Sequence, residues 1–236
     1  MQSAYGISRF YRSPKYKIEI IGIRGANSMT EGYNNGLKKT DAKYKIYLHQ
    51  DVMIIHHMML YNMLEIFLHS PKVGMLGVVG CEHLNDQGLW WDSPNRFGKV
   101  LEDKGYYVMS VLHEPTSHYQ SVEAIDGLII MTQYDLEWES SVFDHWHFYD
   151  ISQCEKFKAH GYEIGVPQQG YPWVIHECGP IINMDRYEEY RLKFLDWKNN
   201  FYSSSARSFF AYWIAGTARA SNPSINTTTP SHANDV

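Results

Sequence analysis

Between residues 16 and 80 the chain alternates strand-like and helix-like patterns, and this alternation restricts the fold more than any other feature. "YKIEIIGI" (16–23) reads as a strand, and "NSMTEGYNNGLKKT" (27–40) follows with Ser28-x-x-Glu31, a reciprocal pair of caps that opens a helix. Residues 44–48 read as the next strand. Leu60, Met63, Leu64, Phe67 and Leu68 then recur at helical spacing, and Ser70-Pro71 ends that helix. "KVGMLGVVG" (72–80) is a continuous apolar run suited to a buried strand. Strand, helix, strand, helix, strand in this order favours parallel pairing through right-handed crossovers, which makes the class α/β.

Residues 82–105 break this pattern with Gly, Asn, Asp and Pro around Trp90-Trp91 and read as a long surface loop with partial structure, a kind of segment that is often functional. Beyond it, strands are expected at 106–112, 125–132, 162–166 and 173–176, a helix at about 151–160, and terminal helices at 185–201 and 203–215. The expected organisation is an irregular segment over 1–15, a single domain over 16–217 and a polar, disordered tail over 218–236.

A chain of 236 residues with 44% hydrophobic and 20% charged residues can build one substantial core without disulfides. The formal net charge of −5 argues against a nucleic-acid backbone as the main partner. Cys81, Cys154 and Cys178 are odd in number and lack CxxC spacing, so neither a disulfide framework nor a zinc finger is indicated. A reducing cytoplasm is the simplest location. "MQSAYGISRFYRSPK" lacks the apolar run of a signal peptide, and the most apolar later stretch, 52–68, is interrupted by His56, His57, Asn62 and Glu65, so no transmembrane segment is expected. Oligomeric state is left open.

Three stretches carry candidate chemistry. In "KYKIYLHQDV" the strand runs into His49-Gln50-Asp51 at what should be the carboxyl edge of the sheet, where open α/β sheets hold ligands. Asp51 is either a hard oxygen ligand for Mg2+ or Mn2+ or a cap of the next helix, and His49 is a ligand or a structural histidine. In "FDHWHFYDIS" Asp144, His147 and Asp150 precede a helix, so Asp150 is either an N-cap or a partly desolvated general base. "YPWVIHECGP" ends a third strand in His176 and Glu177. Three such ends with His beside an acid point to one shared site.

Taken together, "SMTEGYN", "AKYKIYLHQDV", "IDGLIIMTQ", "WHFYDISQC" and "GYEIGVP…WVIHECG" resemble the glycosyltransferase-like domain of the StrF type, a group similar to family 2 glycosyltransferases with a GT-A fold. The resemblance covers residues 16 to 180 in order. It implies a GT-A-like, Rossmann-type fold with a mixed, mainly parallel central sheet flanked by helices, lacking a first strand because residues 1–15 do not read as one. His49-Gln50-Asp51 then stands where such enzymes carry an acidic metal-binding motif, with His49 in place of the first acid.

By the same resemblance Ser28, Asn34, His49, Gln50 and Asp51 bind the donor, Asp51 and His176 hold a divalent cation, Mn2+ or Mg2+, and Asp150 is the catalytic base. Asp126, Gly127, His147, Trp90 and Trp91 line the acceptor side, although packing under their loop is the more common role for two such indoles. The implied reaction moves a sugar, with inversion, from a nucleotide-diphosphate sugar to a glycan or other hydroxyl acceptor. Two rivals share these residues: an inactive GT-A-shaped binding protein with an incomplete nucleotide pocket, and a metal-dependent hydrolase, which would lack a compact ligand motif such as HExxH.

Overall fold

The computed structural model describes residues 16–180 and 184–219, with side chains as far as Ser203. Two compact units divide the chain, Met1–Trp197 and Lys198–Val236. The first holds both sheets, and the described residues of the second are helical. Residues 1–15, expected to be irregular, lie outside the described residues, as does the expected tail from 218 apart from Ala218 and Arg219, which end a helix.

A five-stranded sheet places Lys45–Leu48 (β1), Ile129–Thr132 (β9), Val73–Gly77 (β3), Glu163–Pro167 (β10) and Tyr119–Val122 (β7) side by side in that order. A six-stranded sheet runs Val52–Ile54 (β2), Val174–His176 (β11), Arg96–Asp103 (β5), Val79–Cys81 (β4) and Ala124–Ile125 (β8), with Tyr107–Val111 (β6) paired to β5. The architecture is mixed α/β and GT-A-like. As the crossover argument requires, β1 and β3 run the same way, but β9 lies between them and is antiparallel to both.

Parallel ladders join β3 to β10 and β5 to β11, while the remaining pairs are antiparallel, so the pairing is more mixed than a mainly parallel sheet. The reason is local: no α-helix intervenes between β4 and β9, so no crossover obliges β9 to run parallel.

The apolar runs follow from burial on two faces. Along β9, Ile129 and Met131 enter one core and Ile130 the opposite one, so alternation gives way to an unbroken Ile-Ile-Met. Helix α2 (Met59–His69) closes the first core with Met59, Leu60, Met63, Leu64, Ile66 and Phe67, each contributing roughly 1.5–3 kcal/mol by leaving water. Helix α3 (Tyr149–Ala159) closes the second with Ile151, Cys154 and Phe157, and Tyr190 and Phe194 of α4 (Tyr187–Arg219) join it.

Helix α1 (Met29–Leu37) starts where the caps indicate, with Ser28 Oγ accepting from the Glu31 N–H at 3.1 Å. The return bond is displaced by one residue, since the Glu31 carboxylate accepts from the Asn27 N–H at 2.8 Å. Asn34 is committed to the fold: its Nδ2 donates to the Trp138 carbonyl at 2.9 Å and its Oδ1 accepts from the Trp138 N–H at 2.8 Å. Asn34→Ala orphans both of these backbone groups and should cost about 2 kcal/mol, read as a lower urea midpoint at unchanged m-value.

Some expectations need correction. Residues 16–23 join no ladder, and Ile18 and Ile20 are 42% and 55% exposed. Alternation favours an extended backbone, but a strand also requires a neighbouring edge to take its hydrogen bonds. The expected loop at 82–105 contains β5, whose polar sequence conceals a half-buried strand. At its Gly98, φ is +102° and a Cβ would overlap the Val78 carbonyl oxygen. Strands β2 and β7 fall outside the expected elements, and the two terminal helices are one.

Candidate active site

The hydrogen-bonded end of β1 is His49, whose N–H donates to the Leu128 carbonyl at 3.2 Å. The chain then turns through Gln50 and Asp51 and enters the second sheet as β2, where Val52 lies opposite His176 of β11. The Glu177 N–H donates to the Asp51 carbonyl at 2.8 Å, closing this junction. Asp51 is therefore not a helix cap, because α2 begins only at Met59. Crossing between sheets brings the ends of β1 and β11 together around one carboxylate.

His49 Nδ1 lies 3.9 Å from Asp51 Oδ1, and His176 Nε2 lies 3.5 Å from Asp51 Oδ2. One ligand atom from each of the three residues falls within 4.8 Å of the others. The Tyr149 hydroxyl hydrogen-bonds His49 Nε2, which leaves Nδ1 facing Asp51. Such an outer partner sets the tautomer and orientation of a ligating imidazole. Asp51 Oδ1 is buried without a hydrogen-bond partner, which is costly unless a cation completes it. Two imidazoles and one carboxylate fit a divalent ion, and they suit Mn2+ better than the oxygen-seeking Mg2+.

Electrostatics distinguish the members of the group. Burial works against the charged forms of Asp51 and His176. Their mutual hydrogen bond and charge outweigh it, so Asp51 is lowered and His176 raised from their ordinary values. Burial lowers His49, against the opposing charges of Asp126 and Asp51.

Asp150 occupies the first turn of α3, with Oδ1 accepting from the Ile151 N–H and Oδ2 from the Gly127 N–H, both at 2.9 Å. Burial, reinforced by the charge of Asp126, pushes Asp150 up to about 7 despite those bonds. Phe148, the residue before the helix, has φ +60° and is held there by burial and by stacking on Phe194 at 5.5 Å. This left-handed residue turns Tyr149 and Asp150 back toward the β1 end.

The turn into β9 supplies the opposite wall. The Asp126 N–H donates to the Val79 carbonyl at 3.0 Å, and Asp126 Oδ1 accepts from the Leu128 N–H at 2.8 Å. A Cβ on Gly127 would overlap the Tyr149 hydroxyl and lie 2.5 Å from its Cζ, so glycine is what allows the turn and α3 to close on each other.

The other candidates sit as follows. Gln50 is exposed in the turn after β1. Ser28 caps α1 and Asn34 clamps Trp138. Trp90 packs against both cores, whereas Trp91 is exposed and its ring lies 5.4 Å from that of Tyr187. His147 Nε2 bonds the Asp185 carbonyl at 3.0 Å. Two tyrosines went unrecognised: Tyr149, and Tyr33, whose buried hydroxyl lacks a partner and feels the charges of Asp150 and Asp51. The Tyr149–His49 bond spans 100 residues, a separation that no local pattern signals.

Among the described residues no helix is long and apolar enough to cross a membrane. A family model described as "Glycosyltransferase like family" matches residues 1–197. A comparison with curated proteins finds no match.

Proposed function

Since the chain belongs to the glycosyltransferase-like family, we propose that it transfers a sugar from a nucleotide-diphosphate donor to an acceptor hydroxyl with inversion, as a cytoplasmic protein of the StrF type. The observation that carries this reading is the convergence of His49, Asp51 and His176 beside the elevated carboxylate of Asp150. His49, Asp51 and His176 would hold a divalent cation, Mn2+ by the chemistry of the donor set, which when bound supplies Lewis-acid stabilisation of the diphosphate leaving group. Tyr149 keeps the His49 ring turned toward Asp51. Gly127 and Ile151 fix the Asp150 carboxylate by their N–H groups, so its lone pairs are aimed before substrate arrives.

Asp150 takes the proton of the acceptor hydroxyl as that oxygen bonds to the anomeric carbon. The bond to the diphosphate oxygen breaks in the same displacement, and its electron pair leaves with the nucleotide. A base whose pKa lies near the working pH combines a usable deprotonated fraction with a real driving force for proton transfer. A second reading, binding without turnover, is favoured by residues 16–23, which stand outside the sheets where a first strand would be expected.

Calorimetric titration of UDP and GDP, with and without Mn2+, tests the donor site. Metal-dependent binding should weaken at least tenfold in Asp51→Ala and disappear on chelation. If folded wild-type protein binds neither nucleotide, the transferase reading fails. Nucleotide binding without transfer to any offered acceptor would select the second reading.

A further inference from the structure

Immediately before Asp150 the structure holds a row of rings that the transfer chemistry leaves unused. It runs from Trp146 to His145 at 6.2 Å, on to His147 at 6.2 Å, to Tyr187 at 5.1 Å, and ends on Trp91 at 5.4 Å. Two interior members are braced, since His147 bonds the Asp185 carbonyl and His145 stacks on Tyr190 at 5.4 Å; at one end, the Trp91 carbonyl accepts from Arg96 Nη1 at 2.7 Å. The two indoles at the ends are 46% and 39% exposed. Exposed indoles forgo a large gain from burial, and two of them at the ends of one row are an informative kind of exposure.

Position connects the row to the chemistry. His147 and Phe148 directly precede the helical turn that carries Asp150, and both rings touch Tyr187. The Tyr187 hydroxyl is buried without a partner, and after burial the charge of Asp150 acts most strongly on it. The row therefore adjoins the turn that carries Asp150.

We propose that this row is the binding track of a saccharide acceptor, whose pyranose rings stack on Trp91 and Trp146 and so present a hydroxyl to Asp150. A pyranose has an apolar face of C–H bonds and an edge of hydroxyls. It can cover an indole while its hydroxyls stay in water or meet the histidines of the row. A lipid acceptor would call for a continuous apolar surface, whereas here imidazoles separate the indoles. The inference rests on the transferase reading for the role of Asp150, but binding along the track is measurable without turnover.

The test is tryptophan-fluorescence and saturation-transfer titration of full-length protein with a panel of trisaccharides: chito-, cello-, malto-, manno- and xylotriose. At least one should bind, and Trp91→Ala and Trp146→Ala should each weaken it about tenfold, the loss of one stacked ring. Trp91→Tyr, which keeps an aromatic face, should retain most of the affinity, and UDP or GDP binding should be unchanged in all three variants. No binding by any trisaccharide, or affinity untouched by both alanine variants, would overturn the proposal. Sugar binding retained by a protein that binds no nucleotide would support the track and remove the transferase reading.

Discussion

Asp150→Asn is expected to lower kcat by about 10^2–10^4-fold while leaving metal-dependent nucleotide binding within a factor of two. The carboxylate accepts the Gly127 N–H on one oxygen and the Ile151 N–H on the other, so the amide, with a single acceptor oxygen, removes the basic lone pairs together with one of these two bonds. The pH profile provides an independent check. Because burial and then Asp126 hold Asp150 at about 7, its carboxyl is protonated below that pH and free above it. Wild-type kcat should therefore rise with a slope of one as pH climbs toward 7 and level off beyond it. Asp126→Asn removes the repulsive charge and should move this limb to lower pH. A variant at Asp150 that keeps its rate, or a flat profile through neutral pH, would end the assignment of Asp150 as base.

Gly127→Ala should destabilise the protein by about 3 kcal/mol, the upper end for overpacking a filled interior, and lower the melting temperature by roughly 6–12 °C. The added methyl meets the far end of the Tyr149 ring, which ordinarily could swing aside. Here it cannot, because Tyr33 packs 5.9 Å and Trp138 6.0 Å from that ring and the hydroxyl is bonded to His49. Any displacement of Tyr149 also frees His49, so Mn2+ affinity should fall together with stability. Adding Tyr149→Phe removes the worst overlap and should recover part of the stability but not the metal affinity, since His49 loses its partner in either background. An alanine variant as stable as wild type would show that this turn has room that the packing denies.

Much of this arrangement could be read from the chain because it depends on short-range patterning. The helical spacing of α2 and the Ser28 cap are local consequences of burial and capping, and both helices lie where their residues indicated, whereas the apolar run at 72–80, expected as one strand, divides at Val78 into β3 and β4 of different sheets. His49, Asp51 and His176 stand out as candidates because polar groups able to ligate are unusual at the ends of apolar strands, and Asp150 because it follows a run of acids and imidazoles that opens a helix. Residues 16–23 and β5 went the other way for a single reason. Strand formation depends on a partner edge, so an alternating segment without one stays outside the ladders, while a polar one lying between β4, β6 and β11 is drawn in.

By itself, then, the sequence determined the α/β class, the main helices and the residue types available for a site, because these follow from side-chain chemistry and periodicity within a few residues. The insertion of β9 between β1 and β3, the crossing from β1 into β2 that seats Asp51 against His176, and the Tyr149–His49 bond were decided only by the tertiary structure. Each of these joins groups far apart in the chain. Their energies depend on which edges and cavities remain once the rest has packed, and no local pattern encodes that.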